Sequence, residues 1–172
     1  QRQMCIETER ILNADATTVS VGYYEGGVYN NYWVLIFSYP ENSHTEDYRQ
    51  EVLNLVNAQR AKYGLTALKM GDDALTAAAQ TRAEEIAVVN SHVRPDGSKC
   101  FTVLKDYGVT DTPTGENAAW GSVSPEEVVN AWMNSEGHRA NILNPEARKM
   151  SVGYYYNSNS TWGHQWIQIF TK

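Results

Sequence analysis

One segment of this sequence occurs twice. Residues 11–24 read ILNADATTVSVGYY and residues 142–155 read ILNPEARKMSVGYY, so nine of the fourteen positions are identical. Two segments of ordinary composition would share about one position by chance. After a loop that differs in length by two residues, YWVLIFS at 32–38 aligns with QWIQIFT at 165–171. The fold must therefore accommodate the same strand pattern near both ends of the chain.

The repeat predicts two unequal units: residues 1–41 as a partial copy of the C-terminal third of the domain formed by residues 42–172. We expect the chain to start inside an upstream copy of that domain. A segment of about 35 residues cannot form its own core, and a lone hairpin is marginal in water. Its apolar strand, Trp33–Phe37, should therefore pack on a sheet edge of the main domain or on another molecule. Self-association would use residues 19–38, and the alternative is a solvated tail.

Composition excludes several classes of protein. The chain has 172 residues, of which 42% are hydrophobic and 20% charged, as in globular rather than disordered chains. It contains no apolar run near the roughly 18 residues of a membrane span. The formal net charge is −6 and no basic stripe is present, which argues against nucleic-acid binding. The two cysteines, Cys5 and Cys100, show no zinc-finger spacing, and the sequence leaves their pairing open.

Hydrophobic spacing and capping residues predict helices at ~46–63, ~72–91, ~125–135 and ~138–143. Asp72 or Asp73 should cap the second helix and Ser124 the third. The third helix should direct Val128, Ala131 and Trp132 inward. We expect Gly137 to separate the last two helices, residues 93–114 to form loops, and strands at Val152–Tyr156 and His164–Thr171. Helices and antiparallel strands together predict an α+β layered domain.

Three side chains have surroundings typical of a functional site: His92, Glu116 and His138. Histidine and glutamate together can transfer protons or bind a metal, and two histidines with one carboxylate match an open zinc site. No HExxH spacing is present, so distant segments would have to assemble such a site. The structural alternative is that these groups hydrogen-bond to one another and fix the loops around a cleft.

Three ordered motifs make the family recognisable: SHVRPDG at 91–97, GENAAWG at 115–121 and AWMNSEGHRANILNP at 131–145. They closely resemble the CAP superfamily, which comprises cysteine-rich secretory proteins, antigen 5 and plant pathogenesis-related class 1 proteins, and within it the bacterial extracellular branch. The resemblance covers residues 46–172. It implies an α-β-α sandwich, with an antiparallel sheet between helical layers, in a secreted or cell-surface protein.

The resemblance also implies a cleft with two histidines and two glutamates. His92, Glu116 and His138 match three of these positions, whereas Ser135 occupies the position of the second glutamate. The neighbouring Glu136 need not face the cleft. Losing one carboxylate lowers the negative charge and should weaken divalent metal binding at His92 and His138.

The sequence is consistent with three functions. The first is a module that binds a small ligand, a lipid, a cell-wall component or a divalent cation such as zinc, with ligand contacts from His92, Glu116, Ser135, Glu136 and His138. The second is a structural or adhesion repeat. The third is a protease-like hydrolase that uses His92, Glu116 and His138, with Ser135 as a candidate nucleophile. No GxSxG elbow supports the third.

The remaining polar and aromatic residues of these motifs are expected to be structural. Loops should be braced by Arg94, Asp96, Asn117 and Arg139. Core positions are expected for Trp120, Trp132, Trp162 and Trp166.

Overall fold

A computed structural model describes residues 18–38 and 45–172, and the chain divides into two compact units, Gln1–Ser43 and His44–Lys172. Each unit is described by itself. Cys5 and His44 lie outside the described residues.

The first unit contains a two-stranded antiparallel hairpin. Strand β1 (Thr18–Glu25) pairs with β2 (Asn31–Ser38) from Thr18↔Ser38 to Glu25↔Asn31. Gly27 and Asn30 have φ angles of 68° and 63°, which the tight turn requires. Apolar side chains are exposed on both faces: Val21 is 59% and Ile36 61% exposed. The predicted packing partner of this hairpin stays a prediction.

The second unit combines helices with one sheet. Its elements are α1 (Thr45–Lys62), β3 (Lys69–Met70), α2 (Asp73–Ile86), a 3₁₀ turn (Cys100–Thr102), α3 (Val103–Asp106), β4 (Pro113–Trp120), α4 (Pro125–Asn134), α5 (Glu136–Ile142), β5 (Lys149–Asn157) and β6 (Gly163–Thr171). The strand order is β3-β5-β6-β4. Strand β3 is parallel to β5, and the other neighbours are antiparallel.

Helices cover both faces of this sheet, so the predicted α-β-α sandwich is confirmed. On one face, the alanines of α2 pack with Ile167 and Ile169. On the other, α1 and α4 contribute Val52, Val56, Val128 and Trp132 to a core with Met150, Trp166 and Phe170. Side chains along a strand alternate between faces, so consecutive residues of β5 and β6 pack into the cores on opposite faces of the sheet.

Helix α2 approaches β5 closely because of Gly153. A Cβ atom at this position would lie 2.0 Å from the carbonyl oxygen of Ala79. The small residues Ala78 and Ala79 are fully buried at the same contact. The helix backbone therefore rests on the strand backbone, as a glycine inside a strand often permits.

Several predicted boundaries are wrong in detail. Helix α2 is capped by Asp72, as expected, but ends at Ile86 rather than near residue 91. The chain turns there, and the carbonyl of Ser91 accepts a hydrogen bond from Arg82. The break between helices α4 and α5 lies at Ser135 and not at Gly137, which is a residue of α5.

Two further differences concern burial and strands. Ala131 is exposed, and Val129 is buried in its place on α4. Sequence patterns also missed β3, which has only two residues, and β4, whose centre carries the polar Glu116 and Asn117. A buried strand with polar residues lacks the apolar signal on which strand prediction depends.

The contact at Gly153 generates a stability prediction. Gly153→Ala should lower the free energy of unfolding by about 3 kcal/mol, because the added methyl forces α2 away from β5. Gly137→Ala is the matched control: open space surrounds position 137 inside α5, and alanine should stabilise the helix by up to about 1 kcal/mol. Urea denaturation measures both changes. Equal stability of the Gly153→Ala protein and the wild type would contradict the backbone contact.

Candidate functional site

The candidate site lies at strand β4, on the edge of the sheet, where β4 contacts α5 and is hydrogen-bonded to Arg82 of α2. The motif residues Gly115, Glu116 and Asn117 stand at the centre of this strand. Glu116 bonds to Arg82 of α2, whereas Asn117 bonds to the backbone of α5. Strand alternation thus directs consecutive motif residues to different elements.

The carboxylate of Glu116 is buried and fully engaged. Its side chain is 2% exposed. Arg82 donates from Nε to Oε2 at 3.0 Å and from Nη2 to Oε1 at 3.2 Å. His92 Nδ1 lies 2.8 Å from Oε1. Burial opposes ionisation of Glu116, but the hydrogen bonds from His92 and Arg82 outweigh it, so its pKa is lowered. The ionised carboxylate can therefore persist inside the protein.

The pKa values of the two histidines of the site are shifted in opposite directions. The hydrogen bond to Glu116 raises the pKa of His92 above its usual value, against the effects of burial and of the Arg82 charge. The pKa of His138 is lowered, first by burial and then by the charge of His92. His92 therefore favours the imidazolium and His138 the neutral imidazole. The imidazole of His92 is also accessible, at 54% exposed.

Arg82 is the residue of the candidate site that sequence reasoning missed. Its side chain is completely buried and also donates to Glu85 at 2.6 Å. Glu85 in turn accepts from Arg94 at 2.7 Å, and Arg94 donates to Asp106 at 2.7 Å. The sequence did contain an indication of this role, because position 82 lies among the apolar, buried positions of α2. An arginine on a buried stripe implies a buried acidic partner.

Helix α5 is fixed to the strand edge by asparagines. Asn141 Nδ2 donates to the backbone carbonyl of Glu116 at 3.1 Å and to Asn117 Oδ1 at 2.8 Å. Asn117 Nδ2 donates to the carbonyl of His138 at 3.1 Å. A Cβ at Gly115 would lie 2.5 Å from Asn141 Oδ1, so any larger residue there would displace the Asn141 side chain. These contacts bring His138 to the site and satisfy an edge carbonyl.

Ser135 and Glu136 lie at the start of α5. Ser135 is the N-cap residue, and its side chain makes no capping hydrogen bond. Glu136 is exposed. Within the described residues, no hydrogen bond links Ser135 Oγ to His138, and Glu116 orients His92 rather than His138. The geometry therefore gives no support to Ser135 as a nucleophile activated by His138 and Glu116.

Cys100 lies close to the same carboxylate. Its thiol is buried and forms no disulfide within the described residues, and its pKa is raised to about 11, first by burial and then by the negative charge of Glu116. A thiol with this pKa stays protonated at neutral pH and is a poor nucleophile.

The described residues around Glu116 do not offer a ready group of metal ligands. Among the described residues, no group of three or more His, Cys, Asp or Glu side chains could hold a metal ion. The carboxylate that bonds to His92, that of Glu116, is already engaged by Arg82 on both oxygens. Zinc at His92 and His138 stays a prediction from the sequence.

The expected structural residues mostly have structural roles. Arg94 bonds to Glu85 and Asp106, Asp96 accepts from the backbone of Ser98, and Arg139 donates to the carbonyl of Met133. Trp132 and Trp166 are fully buried, and the half-buried Trp120 donates to the carbonyl of Ile86. The expectation was wrong for Trp162, which is 53% exposed on the loop before β6.

The buried pair generates a prediction for Arg82. Arg82→Met should lower the free energy of unfolding by about 3–5 kcal/mol, because it leaves the Glu116 charge buried with less compensation. Adding Glu116→Gln should recover part of this loss, and denaturation of the four proteins in a double-mutant cycle measures it. Arg148→Met, at an exposed arginine, serves as the control. Additive effects of the two site substitutions would contradict direct coupling.

The zinc prediction can be tested separately. Because Arg82 occupies Glu116, we expect calorimetric titration at neutral pH to show no micromolar zinc binding. The comparison protein carries both His92→Ala and His138→Ala. Micromolar binding that disappears in this double variant would show that the site rearranges to admit a metal.

Comparisons with known proteins agree on the family. Residues 53–170 match the family described as CAP, the cysteine-rich secretory protein family. The chain is 42% identical over 122 residues to the uncharacterized protein YkwD of Bacillus subtilis (strain 168), covering 70% of this chain and 47% of YkwD. It is 32% identical over 115 residues to the uncharacterized membrane protein YlbC of the same strain, covering 64% of this chain and 33% of YlbC. The chain thus spans half or less of these relatives.

Solved structures share the fold at lower identity. An extracellular protein containing a SCP domain from Bacillus anthracis aligns with a TM-score of 0.66 and 24% identity, covering 81% of this chain and 47% of that one. An outer surface protein from Borrelia burgdorferi aligns with a TM-score of 0.66 and 22% identity, covering 77% of this chain and 96% of that one.

A cysteine-rich secretory protein from Staphylococcus aureus aligns with a TM-score of 0.60 and 19% identity, covering 83% of this chain and 43% of that one.

None of the helices in the described part of the chain has the length and apolar character of a membrane span. The family match and the α-β-α sandwich establish that this chain belongs to the CAP superfamily.

Proposed function

We propose that this CAP domain is an extracellular binding module whose site at His92 and His138 takes a small ligand with a carboxylate or phosphate group. The observation that carries the proposal is geometric: the half-exposed ring of His92 is held at 2.8 Å by the buried carboxylate of Glu116, and Asn117 holds His138 at the same strand. Support for the extracellular setting comes from the three similar structures, which are named as extracellular, outer-surface or secretory proteins.

His92 supplies the recognition group in this proposal. Its Nδ1 faces Glu116, so the Nε2 side of the half-exposed ring is the part available to a ligand. In the imidazolium both nitrogens donate, and Nε2–H can bond to an anionic oxygen. His138, with its lowered pKa, stays neutral and offers one donor and one acceptor. The pair can therefore bind an acidic group together with a neighbouring hydroxyl or amide.

A structural role is the second candidate, and the ion-pair chain favours it. The side chains of this ion-pair chain alternate in charge and connect β4, α2, the loop after α2 and α3; they are Glu116, Arg82, Glu85, Arg94 and Asp106. In this interpretation the histidines only complete a brace. Substitution of His92 would then lower stability and change no binding.

Ligand binding should depend on pH. Binding of an acidic probe favours the charged His92, so affinity should be full at low pH and fall as pH rises through the raised pKa of His92. We would measure melting temperature between pH 5 and 8 with N-acetylmuramic acid and a short-chain phosphatidylglycerol as probes. A probe at about 100 times its Kd should stabilise the protein by about 2.7 kcal/mol.

His92→Gln should abolish this stabilisation by the probe. His164→Gln is the matched control, because His164 on β6 bonds to Tyr154 rather than to Glu116 or His138. The absence of any shift with either probe, or an unchanged shift in His92→Gln, would contradict the binding proposal. A loss of stability alone in His92→Gln would favour the structural role.

A further inference from the structure

The N-terminal hairpin reproduces the β5–β6 hairpin in its strand register as well as its sequence. The pair Thr18↔Ser38 corresponds to Lys149↔Thr171, and Glu25↔Asn31 corresponds to Tyr156↔His164. All eight residue pairs, these two included, follow the same correspondence. The turns differ in length by two residues, yet the paired strands correspond residue for residue in register.

On one face, the N-terminal hairpin has a glycine at the position where the β5–β6 hairpin contacts helix α2. Gly22 corresponds to Gly153, whose missing side chain lets the carbonyl of Ala79 approach. Among the described residues, a Cβ at Gly22 would meet only Val34, at 3.8 Å. Glycine inside a strand weakens it and commonly marks a site where another backbone comes close. Gly22 therefore indicates a helix that packs on this face.

The opposite face preserves an aromatic pair. The rings of Tyr23 and Trp33 lie 4.6 Å apart, and those of Tyr154 and Trp166 lie 4.5 Å apart. In the second unit Tyr48 of α1 covers this pair, and Trp166 is fully buried. Trp33 is 60% exposed. The same side-chain arrangement is therefore covered by a helix in one copy and open in the other.

Residues 18–38 and 45–172 contain two such hairpins but one set of covering helices, and these helices already pack on β5 and β6. Two copies of this chain that swap their helices cannot cover every hairpin, because each helix that moves to one hairpin leaves another hairpin uncovered. We propose that residues 18–38 form the central hairpin of a second CAP sheet and receive, across Gly22, an alanine-faced helix of the α2 type from another CAP helical shell.

Leu35 distinguishes that shell from the one in this unit. Its counterpart is Gln168, whose Oε1 accepts a hydrogen bond from Asn117 at 3.1 Å. Leucine cannot accept this bond, so the partner shell should present an apolar group opposite Leu35. The sequence of the hairpin supports a buried setting, since Glu25 is the only charged residue in 18–38.

The test uses the full chain and a probe that lacks its own hairpin. The probe is a tagged polypeptide of residues 45–148, which contains α1 to α5 and β4 without β5 and β6. The two polypeptides are mixed in urea, diluted together and analysed by size-exclusion chromatography with light scattering. We expect a one-to-one complex in which amide hydrogens of residues 18–38 become protected from exchange.

Two hairpin variants separate specific docking from hydrophobic adhesion. Gly22→Val should weaken capture of the probe at least tenfold, because its side chain blocks the helix backbone. Leu35→Gln should capture the probe at least as tightly as the wild type, because it restores the acceptor for Asn117. Simple adhesion would give the reverse order, since valine adds apolar surface and glutamine removes it. No complex with the wild type, or undiminished capture by Gly22→Val, would overturn the proposal.

Discussion

The buried pair of Arg82 and Glu116 is the interaction on which the arrangement of the site depends. Both side chains are removed from solvent, so each would be costly without the other. Their two hydrogen bonds join α2 to the edge strand β4 and keep Glu116 ionised. The ionised carboxylate then orients His92 and favours its charged form. The Glu116 carboxylate that Arg82 holds in place thus raises the pKa of His92, although the Arg82 charge itself acts in the opposite direction.

Close backbone approach is the second constraint, and glycine permits it on both sides of the sheet. Gly153 lets α2 rest on β5, and Gly115 lets Asn141 reach the edge of β4. The first contact places Arg82 over the sheet. The second holds α5, and with it His138, at the strand edge. The positions of both histidines therefore depend on places where a side chain is absent, as well as on hydrogen bonds.

The two hairpins show how far context decides the state of a segment. They share nine of fourteen aligned residues in their first part and the same strand register throughout. In β5 and β6 these residues form the centre of a covered sheet, whereas β1 and β2 expose both faces. Local sequence determines the strand pairing in both, because turn residues and alternation are local properties. Burial depends on which helices are within reach.

The sequence alone determined the family, the helix caps and the main helices, and it nominated His92, Glu116 and His138 as candidates, because these depend on local patterns and ordered motifs. Only the tertiary structure decided that Arg82 lies against Glu116, that Asn141 fixes α5 and that the two histidines differ in polarity. Arg82 and Glu116 are separated by 34 positions, and no local pattern links a helix residue to one particular strand residue. Burial then decides their protonation, and burial is a property of the assembled layers.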